Sequence, residues 1–384
     1  MKKIGIALIV IFLALLVCYP KLEGHIFRGE NIGHVLSTDN SNVVIQGVSK
    51  VGAQRIEVEI LTGAHRGKVL EISNLLNGSM EYDEFYKKGD YILTFVLDDG
   101  GHLEGKVLTL IRADKVLGLL GIFLILLFTY AGKLGIKALA SFVGTVVIIW
   151  EYLIPALKKG DNVFGLTVMT LIFLSALIIF LVAGISKKGV TAFLGTLSGL
   201  GVTAVLTFIF GNGFRIDGMN QPFAQSVLFS SGGTIDILSI FYAAIVIGAS
   251  GAAMDIAMDM AAIIEELKIR NPDMTRKDLI HSGFNVGRSV IGTMTTTLLL
   301  AYSGGFLTLM ILFLERDMTL LQILNMKMMS SEIIKILIGS IGLIVVAPIT
   351  TFIGATIYSM SEARYTKWFR PFAKIRFDRV KHNI

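Results

Sequence analysis

Cysteine is almost absent from this chain. Of its 384 residues only Cys18 is a cysteine, which excludes an intramolecular disulfide and a zinc site built on cysteines. Charge is also scarce. Charged residues make up 17% of the chain, where soluble domains run near a quarter. Apolar residues take their place, at 53% with a mean hydropathy of +0.71. Several apolar runs reach or approach the roughly 20 residues that cross a bilayer as a helix. The composition therefore predicts a multi-pass membrane protein. Its 40 glycines fit, because small residues let membrane helices approach closely.

The first apolar run, Ile4 to Tyr19, follows Lys2 and Lys3. It ends without an A-x-A-like cleavage site, so residues 1–20 are expected to be an uncleaved anchor. Residues 21–114 change character. "RIEVEI" at 55–60 alternates apolar and polar residues, the period of a half-buried strand. "NVVIQGV", "KVLEIS", "YILTFVL" and "KVLTLI" are similar, and "TGAHRG", "KKGD" and "DDGG" mark turns between strands. About five strands in about 90 residues predict a small all-β barrel of OB-like type.

Seven more apolar runs lie near 116–132, 138–157, 163–183, 189–211, 237–257, 289–313 and 333–358. They predict a seven-helix membrane domain over 115–360, and eight helices with the anchor. Positive loops stay cytoplasmic. With the N-terminus inside, inner segments carry 18 basic residues and short outer loops carry six: Lys158, Lys159, Arg215, Arg316, Lys327 and Lys335. Both termini are then cytoplasmic, and the barrel is extracytoplasmic. Loop 258–288 reads as a cytoplasmic helical hairpin, broken at Pro272 and recapped at Asp273 or Thr275. Tail 361–384 interleaves basic and aromatic residues, which suits a lipid headgroup layer better than a nucleic acid.

The stretch "GASGAAMDIAMDMAAIIEEL" runs from Gly248 to Leu267. At helical spacing Gly248, Ala252, Asp255, Asp259, Ala262 and Glu266 share one face. A small-residue stripe becomes a carboxylate stripe, and an acid facing lipid is expensive. Glu265 lies off the stripe and is expected to be solvated. On the next segment Asn285, Arg288, Gly292 and Thr295 or Thr296 share a face, with Arg288 placed to pair with Asp255 or Asp259. The hydroxyls of Thr293, Thr295, Thr296 and Thr297 either line a polar path or bond back to their own helix. Asp255, Asp259, Glu266, Asn285, Arg288, Thr293, Thr295 and Thr296 form the candidate intramembrane site. The plainer reading is a buried ion pair with close helix packing. Binding of a hard divalent ion by Asp255, Asp259 and Glu266 is a weak alternative, since no turn loop gathers them.

Catalytic patterns fail on inspection. "GASG" at 248–251 matches the G-x-S-G string of rhomboid proteases, with Ser250 as nucleophile. No later membrane segment carries a histidine, and triads are recognised by geometry. The G-x-G-D string of aspartyl intramembrane proteases is absent from the apolar segments.

"GASGAAMDIAMDMAAIIEEL" and "GRSVIGTMTTTLLLAYSGG", with the anchor, external β domain and remaining helices, resemble the YibE/F-like family of bacterial multi-pass membrane proteins. The resemblance implies a bacterial cytoplasmic membrane and no particular activity. A transporter or permease-like protein is the first expectation, with a polar site at the cytoplasmic ends of the sixth and seventh helices. A scaffold or sensor whose β domain binds a ligand or partner is the second. Neither an enzyme nor a cofactor is expected. The expected partners are the lipid bilayer, a small ion or solute and another membrane protein, with no nucleic acid.

Overall fold

Alternating inward and outward side chains build the first part of the chain. The structure is a computed structural model that describes residues 29–100, 102–159, 162–361 and 365. The expected anchor at 1–20 and the tail from 366 lie outside them. The chain forms two units that divide between Ile136 and Lys137.

In the first unit β1 (Glu30–Gln46), β2 (Ser49–Ile60), β3 (Val69–Asn77), β4 (Tyr91–Asp99) and β5 (His102–Leu110) form one sheet. Its order is β3-β2-β1-β4-β5, and every pairing is antiparallel. The sheet curls until β5 meets β3. A Cβ on Gly105 of β5 would collide with Ile72 of β3. The result is a nearly closed barrel around Val35, Ile56, Val58, Ile60, Leu70, Ile72 and Ile92.

The sequence placed the first strand at 42–48. That stretch is instead the end of β1 plus the hairpin turn, where Gly47 takes a positive φ of 61°. The first half of β1 escapes pattern reading because its inward positions are Asn31, Gly33 and Val35. Gly33 sits so close to Val58 that no side chain fits there.

The connection between β3 and β4 is bound to the barrel by polar contacts. Buried Gln54 donates to the Asn40 side chain and the Tyr86 carbonyl, and accepts from the Tyr86 N–H at 3.0 Å. Glu84 accepts from the Leu110 N–H at 2.6 Å and from Arg112 at 2.6 Å. Burial pushes the Glu84 carboxyl upward, but the Arg112 guanidinium and the Leu110 N–H outweigh it and hold it below the usual glutamate value.

α1 (Ala113–Ile148) runs through a π-helical turn (Ile149–Leu153) into α2 (Ile154–Lys158). These 46 residues are more than the roughly 20 that a single crossing needs. The sequence put a loop at 133–137. The break comes one residue earlier: at Gly132 the backbone leaves helical geometry (φ 51°, ψ −123°), and two helices meet there across a kink. A glycine can take that conformation because it has no Cβ.

The remaining helices are α3 (Val163–Ala183), α4 (Lys187–Gly213), α5 (Ala224–Ser230), α6 (Ile237–Arg270), α7 (Arg276–Gly304), α8 (Leu307–Glu315), α9 (Leu320–Asn325) and α10 (Lys327–Tyr358). Five helices among the described residues are long and apolar enough to cross a membrane: α1–α2 together, α3, α4, α6 and α10. A sixth is present if α7 and α8, bent by 63°, act as one span. The apolar run at 289–313 is therefore broken, at Gly305 and Phe306.

In the second unit α6 is the hub. Its Phe241, Ile245, Ala249, Ala253, Ile256, Ala257, Met260 and Ile264 are buried against α3, α4, α7 and α10. α4 and α10 run antiparallel along a seam of small residues. A Cβ on Gly195 would strike Thr350, one on Gly199 would strike Val346, and one on Gly342 would strike Thr203. Further along, a Cβ on Gly354 would lie 3.0 Å from Thr191. This spacing makes a direct prediction. Gly199→Val should lower the thermal midpoint of the detergent-solubilised protein, since overpacking a close contact costs about 1–3 kcal/mol. Val346→Ala opens the space that the new side chain needs, so the double variant should regain most of the loss. A double variant no better than Gly199→Val would mean that the helices do not meet there.

Candidate functional site

α6 starts where Asp236 caps it, its carboxylate accepting from the Leu238 N–H at 3.1 Å. From there the helix is covered on almost every side. The line left open carries Gly248, Gly251, Asp255, Asp259 and Glu266, all exposed. The carboxylate stripe is thus the uncovered edge of the hub helix. Asp255 and Asp259 open into a cleft of about 310 Å³ bounded by Ile178, Ile179 and Val182 of α3, Met254 and Met258 of α6, and Met294 of α7. Apart from the two carboxylates, these side chains are apolar.

The expected partner is turned elsewhere. Arg288 lies in a groove of about 250 Å³ between α7 and α10, beside Ile344 and Pro348. Among the described residues it forms no ion pair with Asp255 or Asp259. Of the face that spacing assigned to α7, Arg288 borders α10 while Asn285, Gly292 and Thr296 are exposed, and Met294 lines the acid cleft. α7 begins at Thr275, which caps it together with Asp278. Asn285 is exposed, with its amide 3.4 Å from the His281 ring. Thr293 and Thr296 donate to the Val290 and Gly292 carbonyls of their own helix, both at 3.0 Å. Thr295 differs, because its hydroxyl is buried without a hydrogen-bond partner. Glu266 reaches the surface and pairs with Arg270 at 2.7 Å, so it does not join the two aspartates.

Glu265 corrects the expectation that it is solvated. Tyr358 of α10 donates to it at 2.9 Å, and Lys188 of α4 lies 4.0 Å away. Three helices are tied at this one carboxylate. Pattern reading could not find this contact, because the three residues lie far apart in sequence.

A second ionic cluster sits near the opposite end of α10. Glu332 and Lys335 pair at 2.7 Å, with side chains only 11% and 20% exposed. The Lys335 ammonium is 6.0 Å from the Phe241 ring centre. The sequence assigned Lys335 to an outer loop, whereas it lies inside α10. Two opposite charges three residues apart at the head of an apolar run were the available signal.

The barrel followed by five or six apolar helices defines a membrane protein with an N-terminal β domain. Residues 119–360 match the family model described as YibE/F-like protein, and residues 26–110 match the YibE/F family N-terminal domain. The chain belongs to the YibE/F-like family. No curated protein and no solved structure matches it.

The buried pair on α10 is open to test. Glu332→Gln leaves Lys335 buried without its counter-charge, and breaking a buried pair costs about 3–5 kcal/mol. Yield and thermal midpoint should both fall. Glu332→Gln combined with Lys335→Met removes the stranded charge and should recover much of both. Wild-type stability in Glu332→Gln alone would mean that the pair is solvated.

Proposed function

We propose that the protein carries a cation or small cationic solute across the membrane, by a path that includes the Asp255–Asp259 cleft. The observation that carries this reading is the cleft itself. It opens two carboxylates among apolar side chains of membrane-spanning helices, with no basic partner within ion-pair distance among the described residues. Ionisable groups in such segments are rare because they are costly, and they mark ion pathways and proton relays. A structural acid would be expected to carry its counter-charge, as Glu332 does. No enzymatic step is part of this reading.

The membrane arrangement belongs to the same proposal. The N-terminus is inside, the barrel is outside, and the chain crosses the bacterial cytoplasmic membrane eight times. α1 supplies two of the crossings, folding back near Gly132. Lys133 and Lys137 follow that break, and a single tilted span would hold them in hydrocarbon. The excess of basic residues in the inner segments supports the orientation. Single cysteines at Lys68 and Asp273, in a Cys18→Ser background, test it with an impermeant maleimide on intact cells. Position 68 should label from outside, and position 273 only after the membrane is opened. The reverse pattern would reject the map.

The family supports a membrane location without naming a cargo. Proteoliposomes loaded against gradients of protons, sodium, potassium and magnesium test the path. The wild type should dissipate at least one gradient. Asp255→Asn should be recovered in normal yield and lose most of that flux. Wild-type flux in Asp255→Asn would exclude Asp255 from the path.

A second reading has its own observation. The β1–β2 hairpin end exposes Ile45 at 71% and Val48 at 84%, beside a cleft of about 210 Å³ that contains Lys50, Asp83 and Phe85. Exposed apolar surface of this kind suits a partner or ligand. A folded protein that moves none of the four ions would favour a scaffold or sensor.

A further inference from the structure

We propose that the groove between α7 and α10 seats an anionic glycerophospholipid, with its phosphate on Arg288 and one acyl chain in the groove below. This site is separate from the acid cleft and does not depend on transport. Only the naming of the leaflet as the inner one rests on the orientation proposed above.

Arg288 is exposed and forms no ion pair or side-chain hydrogen bond with any described residue. Its depth is set by its neighbours. Gly287 packs 3.2 Å from Met260 when a Cβ is built on it, and Met260 lies just past the apolar stretch of α6 that ends near Ala257. The apolar sequence of α7 starts directly after Arg288. α7 therefore changes from polar to apolar at this guanidinium, level with the turn of α6 that holds Asp259 and Met260. Lipid phosphates lie at that boundary, and arginine binds phosphate in a bidentate fork.

The groove continues away from Arg288 on its membrane side. Ile291 and Ile344 form its walls there, and Phe284 and Pro348 flank the guanidinium. Toward water, Arg276 lies 4.7 Å from the Phe352 ring centre, adding positive charge at the outer end. A cation with an apolar trough beneath it matches the order of groups along a phospholipid. Basic pockets between membrane helices bind anionic lipid headgroups in this way. A free anion would have no use for the trough. At about 250 Å³ the groove is too small for another helix, whose diameter with side chains is about 10–12 Å. The chain's own segment 361–384 carries seven basic residues against Glu362 and Asp378, so its charge does not complement Arg288.

The test uses the full chain, purified in detergent and stripped of lipid. Dioleoyl-phosphatidylglycerol is titrated while native mass spectrometry counts bound lipid and the thermal midpoint is followed. Dioleoyl-phosphatidylcholine and glycerol phosphate are the comparison ligands. Phosphatidylglycerol should bind and raise the midpoint, and the other two should not. Arg288→Gln should weaken its apparent affinity by about fivefold, the share of one basic residue at an anionic surface. Ile344→Trp keeps the charge but fills the trough, and should weaken binding as well. Lys158→Gln, an exposed basic residue away from the groove, should bind as wild type does. Equal binding by wild type, Arg288→Gln and Ile344→Trp would overturn the proposal. So would phosphatidylcholine or glycerol phosphate matching phosphatidylglycerol. If Arg288→Gln does not fold, Ile344→Trp decides alone, because Ile344 is 42% exposed and its replacement leaves the core intact.

Discussion

The close approach of α4 to α10 governs the rest of the helical unit. Lipid tails are as apolar as leucine, so helices in a membrane gain little from hiding apolar side chains and associate through packing. α4 supplies the surface for this with Thr191, Gly195, Gly199, Thr203, Thr207 and Gly211, a small residue at every fourth position. α10 answers with Gly342, Thr350 and Gly354. The threonine hydroxyls stay neutral in this seam because they bond back to their own helices, Thr203 to the Gly199 carbonyl at 3.0 Å and Thr350 to the Val346 carbonyl at 2.7 Å. With α4 and α10 in contact, α6 rests on both of them. α3 and α7 then cover its flanks, and one line of α6 stays open. That line carries Asp255 and Asp259. The position of the acids thus follows from the packing of two helices that contain neither.

The charges of this unit sort by that geometry. Those on covered faces are paired: Glu332 with Lys335, and Glu265 with Lys188 and Tyr358. A buried pair adds little net stability over an apolar core, but losing one member is costly. Only the Glu265 contacts join separate helices, so sliding α6 by one turn against α4 and α10 would part Glu265 from Lys188 and Tyr358; the Glu332–Lys335 pair lies within α10. Of the candidate-site charges, Asp255, Asp259 and Arg288 form no ion pair among the described residues and lie on open faces. They are available to a ligand, and the paired ones are not.

Much of this was legible in the sequence, in the features that repeat with a fixed period. Apolar runs located the spans, and helical spacing put Asp255 and Asp259 on one face of α6. Period-2 alternation found four of the five strands close to their places. What spacing could not give was the neighbour of each face. Arg288 and Asp255 occupy helices adjacent in sequence, yet Arg288 turns to α10, because Gly283 and Gly287 let α7 press against Thr351 and Met260. The Glu265 contact needs α4, α6 and α10 together, and no local pattern encodes it. The first half of β1 was hidden for a different reason, since glycine and asparagine occupy positions that point inward. The break read at 133–137 from its two lysines falls instead at a single glycine, Gly132, between two helices.

The length of α6 bears on where its acids lie. Its 34 residues span about 51 Å, against a hydrocarbon core of about 30 Å. The excess lies at the end that carries Glu266 and Arg270, which pair in the open. The exposed edge of α6 therefore runs unbroken from a solvated surface at Glu266, through Asp259, to Asp255 in the cleft. An acid on the open edge of a helix does not carry the full cost of burial that would call for an arginine beside it. This weakens the reason for expecting Arg288 beside Asp255, and among the described residues neither Asp255 nor Asp259 has a basic partner.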